Sequence, residues 1–81
     1  MKFSYHPGFK DGLHKLPIEI QKKFYKQAEY LLKDIRHPSL HAKKYYETDN
    51  TWQARIDKNF RFYFKIKEDT YILIAITKHP K

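Results

Sequence analysis

The hydrophobic period of this chain changes once, and that change restricts the folds open to it. Between Ile18 and Ile35, the residues Ile20, Phe24, Ala28, Leu31 and Ile35 recur at the spacing of one helix face, with Lys22, Lys23, Lys26, Glu29 and Lys33 on the remainder. From Trp52 onward the period is two. Trp52, Ala54 and Ile56 alternate with Gln53, Arg55 and Asp57, and Phe60, Phe62, Phe64 and Ile66 alternate with Arg61, Tyr63, Lys65 and Lys67. A helical stripe followed by alternating strands implies an α+β fold, with the helices covering one face of a mainly antiparallel sheet.

Punctuation residues divide the chain further. A short strand over residues 2–6 stops at Pro7-Gly8. Phe9, Leu13 and Leu16 then predict a short helix over 9–16, weakened by about 1 kcal/mol at Gly12. Pro17 suits the first turn of a second helix over 17–35, and Pro38 closes it by turning His37 away from helical geometry. Residues 36–50 form a basic, tyrosine-bearing connector, and strands are expected at 51–57, 60–67 and 70–78. The expected product is a single domain over residues 1–81, its αα-hairpin packed on a four-stranded sheet with the N-terminal strand beside the last.

Composition removes several function classes. There is no cysteine, so neither disulfides nor a thiolate nucleophile is available. The longest apolar run, Tyr71 to Ile76, is six residues, against the roughly 20 of a membrane-spanning helix. His37 and His41 flank Pro38, which breaks the helical spacing of a ligand pair, so no metal site is expected. The N-terminus shows no signal-peptide pattern, and the chain reads as soluble and cytoplasmic, with no membrane partner. Seventeen Lys and Arg against nine Asp and Glu give a net charge of +8, which points to a polyanionic partner.

Strand register places the candidate site. A three-residue turn at Asp57-Lys58-Asn59 sets Ile56 against Phe60, Ala54 against Phe62 and Trp52 against Phe64, so that all the large apolar residues share one face. Arg55 and Arg61 then become cross-strand neighbours on the face away from the helices. Like charges so placed destabilise a sheet by up to about 1 kcal/mol, a cost an anion would offset. A three-residue loop at Glu68-Asp69-Thr70 is expected to pair Ile66 with Ile72, Phe64 with Ile74 and Phe62 with Ile76. It leaves Tyr71, Leu73, Ala75, Thr77 and His79 on the face of the arginines.

In this order of elements, three segments resemble the RelE/ParE superfamily of toxin–antitoxin toxins, closest in spacing to its YoeB-like branch. They are Trp52-Gln53-Ala54-Arg55-Ile56, Asn59-Phe60-Arg61-Phe62-Tyr63-Phe64 and Ala75-Ile76-Thr77-Lys78-His79, and the stretch from His37 to Lys44 is similar to the basic connector of such toxins. The resemblance implies a ribosome-dependent mRNA endonuclease that needs no metal or other cofactor and is held by a cognate antitoxin. On this chain it implies that Arg55 and Arg61 stabilise the phosphorane and His79 protonates the leaving oxygen. Lys43, Lys44, Tyr63 and Lys65 would hold RNA. Glu47 and His41 are the candidates for general base. Pro80 and Lys81 stand where these toxins often carry a tyrosine. Tyr25, Tyr30, Tyr45 and Tyr46 are expected antitoxin contacts. Two competing readings are a ParE-like gyrase inhibitor and a non-catalytic RNA- or protein-binding relative.

Overall fold

The computed structural model describes residues 1–46 and 50–78. Its elements are β1 (Lys2–Tyr5), α1 (Phe9–His14), α2 (Ile18–Lys33), a 3₁₀ turn (Pro38–Leu40), β2 (Lys43–Tyr46), β3 (Thr51–Arg55), β4 (Phe60–Lys67) and β5 (Thr70–Lys78). The strands form one sheet in the order β1-β5-β4-β3-β2, with β1 parallel to β5 and every other pair antiparallel.

The sheet therefore has five strands rather than the four expected. The extra one, β2, comes from the polar connector, where Lys43, Lys44 and Tyr45 are all exposed and no apolar alternation marks a strand. Its pairing is supplied by the edge of β3, with Lys43 opposite Gln53 and Lys44 opposite Trp52. Asn50 adopts a left-handed φ of 58°, a conformation asparagine tolerates better than most residues. From there its amide donates to the Ile66 carbonyl at 2.9 Å.

Helix α2 buries Ile20, Phe24, Gln27, Ala28 and Leu31 against the sheet. Phe62, Phe64 and Leu73 supply the sheet side and are fully buried. Phe24 meets Phe62 edge-on at 5.3 Å between ring centroids. Gly8, at φ 90°, turns the chain from β1 into α1 in a conformation that suits a residue without a Cβ.

The β3–β4 pairing is the one the apolar pattern requires: Trp52 with Phe64, Ala54 with Phe62 and Arg55 with Arg61. Asp57 holds the turn. Its Oδ1 accepts the backbone N–H of Asn59 at 2.8 Å and of Phe60 at 2.9 Å, while Lys23 reaches Oδ2 at 3.3 Å.

The β4–β5 hairpin differs from expectation. It turns through two residues, Glu68 and Asp69, pairing Lys67 with Thr70, Ile66 with Tyr71 and Phe64 with Leu73. One extra residue in β5, Ile74, then forms a bulge, and beyond it Tyr63 pairs with Ala75, Phe62 with Ile76 and Arg61 with Thr77. The register is thus the expected one past the bulge and shifted by one residue before it. Tyr71 and Leu73, expected on the open face, lie in the core, and Ile72 is turned out. The core accepts Tyr71 because Phe64 meets its ring perpendicularly at 5.5 Å and Phe3 lies 6.0 Å away.

Candidate nucleic-acid interface

The sheet face away from the helices carries three tiers of side chains across β3 and β4. Arg55 pairs with Arg61, Gln53 with Tyr63 and Thr51 with Lys65. On the flanking strands, Lys43 lies beside Gln53, and Thr77 beside Arg61. His41, Lys43, Gln53, Arg55 and Arg61 line a shared concavity of about 470 Å³.

The two arginines are held differently. Arg61 is only 9% exposed. Its Nη1 donates to the carbonyls of Asp57 at 2.6 Å and Phe60 at 3.0 Å, which fixes the guanidinium and leaves the Nε and Nη2 donors without a hydrogen bond among the described residues. Burial, and after it the neighbouring Arg55 charge, holds the Arg61 pKa below the ordinary arginine value, against the opposing pull of Asp57 and Tyr63. Arg55 is half-buried, and its Nε is buried without a hydrogen-bond partner. Leaving a charged donor unsatisfied in this way costs at least about 1–3 kcal/mol. Among the described residues, no carboxylate lies within 4.0 Å of either guanidinium; the ion pairs there are Lys2–Asp69 and Lys23–Asp57. Two cations face each other with donors to spare, an arrangement that an oxyanion completes.

The position of Arg55 is set from behind by Gln27. The buried Gln27 amide donates to the Arg55 carbonyl at 2.8 Å and to the Ser39 carbonyl at 3.0 Å, and its oxygen lies 3.1 Å from the Ser39 hydroxyl. The Ser39 N–H in turn donates to His37 Nδ1 at 3.2 Å, and the His37 ring stacks on Tyr30 at 3.8 Å. This network ties α2, the 3₁₀ turn and β3 into one unit. The turn ends at His41, whose left-handed φ of 47° brings it to the rim of the concavity.

The structure thus brings together Arg55, Arg61, Lys43 and His41, with Tyr63 and Lys65 farther along the same face. It does not place Lys44 with them: Lys44 pairs with Trp52, over whose ring its ammonium lies 5.8 Å from the centroid. Glu47 and His79 lie outside the described residues. Of the tyrosines proposed as partner contacts, Tyr25 and Tyr45 are exposed, Tyr30 is stacked on His37, and the Tyr46 side chain lies outside the description. Among the described residues, no three His, Asp or Glu side chains converge as a metal site would need, and no helix is long and apolar enough to cross a membrane.

Sequence reasoning missed Gln53 and Gln27. Gln53 was legible from the period-two alternation that places it on the face of Arg55. Gln27 was marked by being a polar residue three positions after Phe24 and four before Leu31, inside the buried stripe.

No family model and no curated protein sequence matches the chain. Solved structures do match it in fold. A YoeB/ParE toxin from Agrobacterium tumefaciens superposes with a TM-score of 0.81 at 13% identity, covering 99% of this chain and 100% of the other. The archaeal RelE–RelB complex of Pyrococcus horikoshii gives 0.79 at 13%, over 95% and 92% of the two chains. The RelB–RelE antitoxin–toxin complex of Methanococcus jannaschii gives 0.75 at 20%, over 93% and 88%. The chain has the RelE/YoeB/ParE-like toxin fold over nearly its whole length.

Proposed function

We propose that this protein is the toxin of a toxin–antitoxin pair, acting in the cytoplasm as an endoribonuclease that cleaves mRNA on the ribosome. The observation that carries this reading is the cross-strand Arg55–Arg61 pair, half-desolvated, unpaired with any described carboxylate and open to a concavity that also holds Lys43 and His41. The toxin fold and the net charge of +8 support it.

The proposed reaction is transesterification. The 2′-oxygen attacks the adjacent phosphorus, its proton passes to a base, and the bond to the 5′-oxygen breaks as that oxygen gains a proton. The products are a 2′,3′-cyclic phosphate and a 5′-hydroxyl. Arg55 and Arg61 offset the added charge of the phosphorane through donors already in place before reaction, an effect whose loss typically slows catalysis about 10²- to 10³-fold per donor. His41, at the rim of the concavity, and Glu47 are the candidates to take the 2′-proton, and His79 is assigned proton donation to the leaving oxygen. Lys43 and Lys65 hold flanking phosphates, while Lys44, on the other face, has no part in this step. No metal or cofactor enters the scheme.

The test is induction of wild type, Arg61→Ala and His79→Ala in a bacterial host, reading growth and the ends of ribosome-bound mRNA. Arrest with new mRNA ends for wild type alone supports the proposal. Equal toxicity of all three, or a DNA-damage response over intact mRNA, overturns it.

A further inference from the structure

Beside the arginines, the same face holds a second depression of a different kind. It is a trough of about 440 Å³ floored by Ile72, Ile74 and Ala75, with Tyr63 and Tyr45 on one side and Lys65 at its end. The Tyr45 and Tyr63 rings meet edge-on at 5.5 Å. An aliphatic floor on the open face of so basic a protein is unexpected, and it has an identifiable origin. In a regular strand, consecutive residues point to opposite faces. The bulge at Ile74 breaks that rule, so Ile72, Ile74 and Ala75 all contribute to one face.

Resting on the ribonuclease reading, we infer that this trough is a nucleobase subsite, taking an unpaired base of single-stranded RNA next to the phosphate held by Arg55 and Arg61. The spacing fits. Arg61, Tyr63 and Lys65 are successive same-face residues of β4, about 6.7 Å apart per step. A strand laid along β4 therefore meets a phosphate fork, then an aromatic and aliphatic slot, then a second cation. That alternation of charge and apolar surface matches the alternation of phosphate and base in RNA. The floor is mostly hydrocarbon, so the slot reads stacking area rather than hydrogen bonds, and it tolerates different bases.

The experiment measures equilibrium binding of two fluorescein-labelled hexanucleotides with 2′-O-methyl sugars, which block cleavage: one of uridines, the other abasic throughout with the same phosphates. Wild type binds the uridine strand between about 5- and 150-fold more tightly, the equivalent of one stacked base. Tyr63→Ala abolishes that preference, whereas Tyr63→Phe retains it. Deletion of Ile74 supplies an independent arm, since it makes the β4–β5 ladder continuous while keeping Phe64 with Leu73 and Tyr63 with Ala75. It too reduces the preference, with the fold checked by thermal unfolding. Equal binding of both strands by wild type overturns the subsite while leaving the phosphate site standing. Undiminished preference in both Tyr63→Ala and the deletion also overturns it. Binding of neither strand by the free protein overturns the subsite, while failure of the ribonuclease reading is read separately from the mRNA ends in the induction test above.

Discussion

At the scale of single residues, the most consequential is one that never touches the open face. Gln27 is 6% exposed and its amide satisfies two carbonyls and faces a hydroxyl, so an apolar replacement removes the donor to both carbonyls, while the Ser39 hydroxyl keeps His37 Nδ1 at 2.9 Å. Gln27→Leu is expected to lower stability by about 2–3 kcal/mol in urea unfolding. Because one of those carbonyls belongs to Arg55, the proposed RNA binding should weaken as well, under conditions where the variant is fully folded. Tyr71 gives a prediction with a sign fixed by its surroundings. Burial, and after it the Asp34 charge, raises its pKa above the usual value near 10. Both folded and unfolded chains carry the neutral phenol below that unfolded value, so the stability is intact there and declines as pH rises toward the folded pKa. Tyr71→Phe should therefore flatten the alkaline limb of a stability–pH curve.

At the scale of elements, the two hairpins behave in opposite ways. The β3–β4 turn is locally determined: burial pushes the Asp57 carboxyl up, but the N–H groups of Asn59 and Phe60 and the Lys23 ammonium outweigh it, and the net shift is downward. A carboxyl with a lowered folded pKa contributes stability above its unfolded value near 3.9 and loses it as pH falls through the folded value. Asp57→Asn should lower stability near neutral pH by about 1 kcal/mol and remove part of the acid limb, read by denaturation from pH 6 to pH 2. The β4–β5 turn instead places Glu68 at φ 55°, where glycine is favoured. Glu68→Gly should raise the thermal midpoint slightly, as about 1–2 kcal/mol of left-handed strain is removed and only partly offset by the roughly 0.5–1 kcal/mol entropy cost of glycine.

The same contrast explains what the sequence disclosed. The pairing of Arg55 with Arg61 was legible because β3 and β4 each have one apolar and one polar face, so any slip would expose phenylalanine. β5 is apolar on both faces, which left its register to be settled by the bulge. The β2 strand was hidden because a polar edge strand needs only a neighbour's backbone, and that neighbour is distant in sequence. Of the candidate site, the arginines and Tyr63 could be placed from alternation alone. The separation of Lys43 from Lys44 followed only once β2 was known to be extended.

At the scale of the whole molecule, charge and shape act together. The net charge of +8 draws any polyanion, but Lys43, Arg55, Arg61 and Lys65 share one face with a defined spacing. Three phosphates, one proposed at Arg55 and Arg61 and one each at Lys43 and Lys65, predict that log K for a single strand falls with log salt at a slope of about −2, and Lys65→Ala should reduce that slope by about 0.7. An unchanged slope would mean that Lys65 holds no phosphate. The parallel pairing of β1 with β5 has a bearing on the order of events in synthesis. β1 pairs with β5, Lys2 opposite Thr70, so it has no neighbour among the described strands until β5 has been made. Such distant closure is slow to form. A chain lacking β5 has neither the Leu73 and Tyr71 packing nor the strand that flanks Arg61, so the face proposed to bind RNA is the last part of the sheet to assemble.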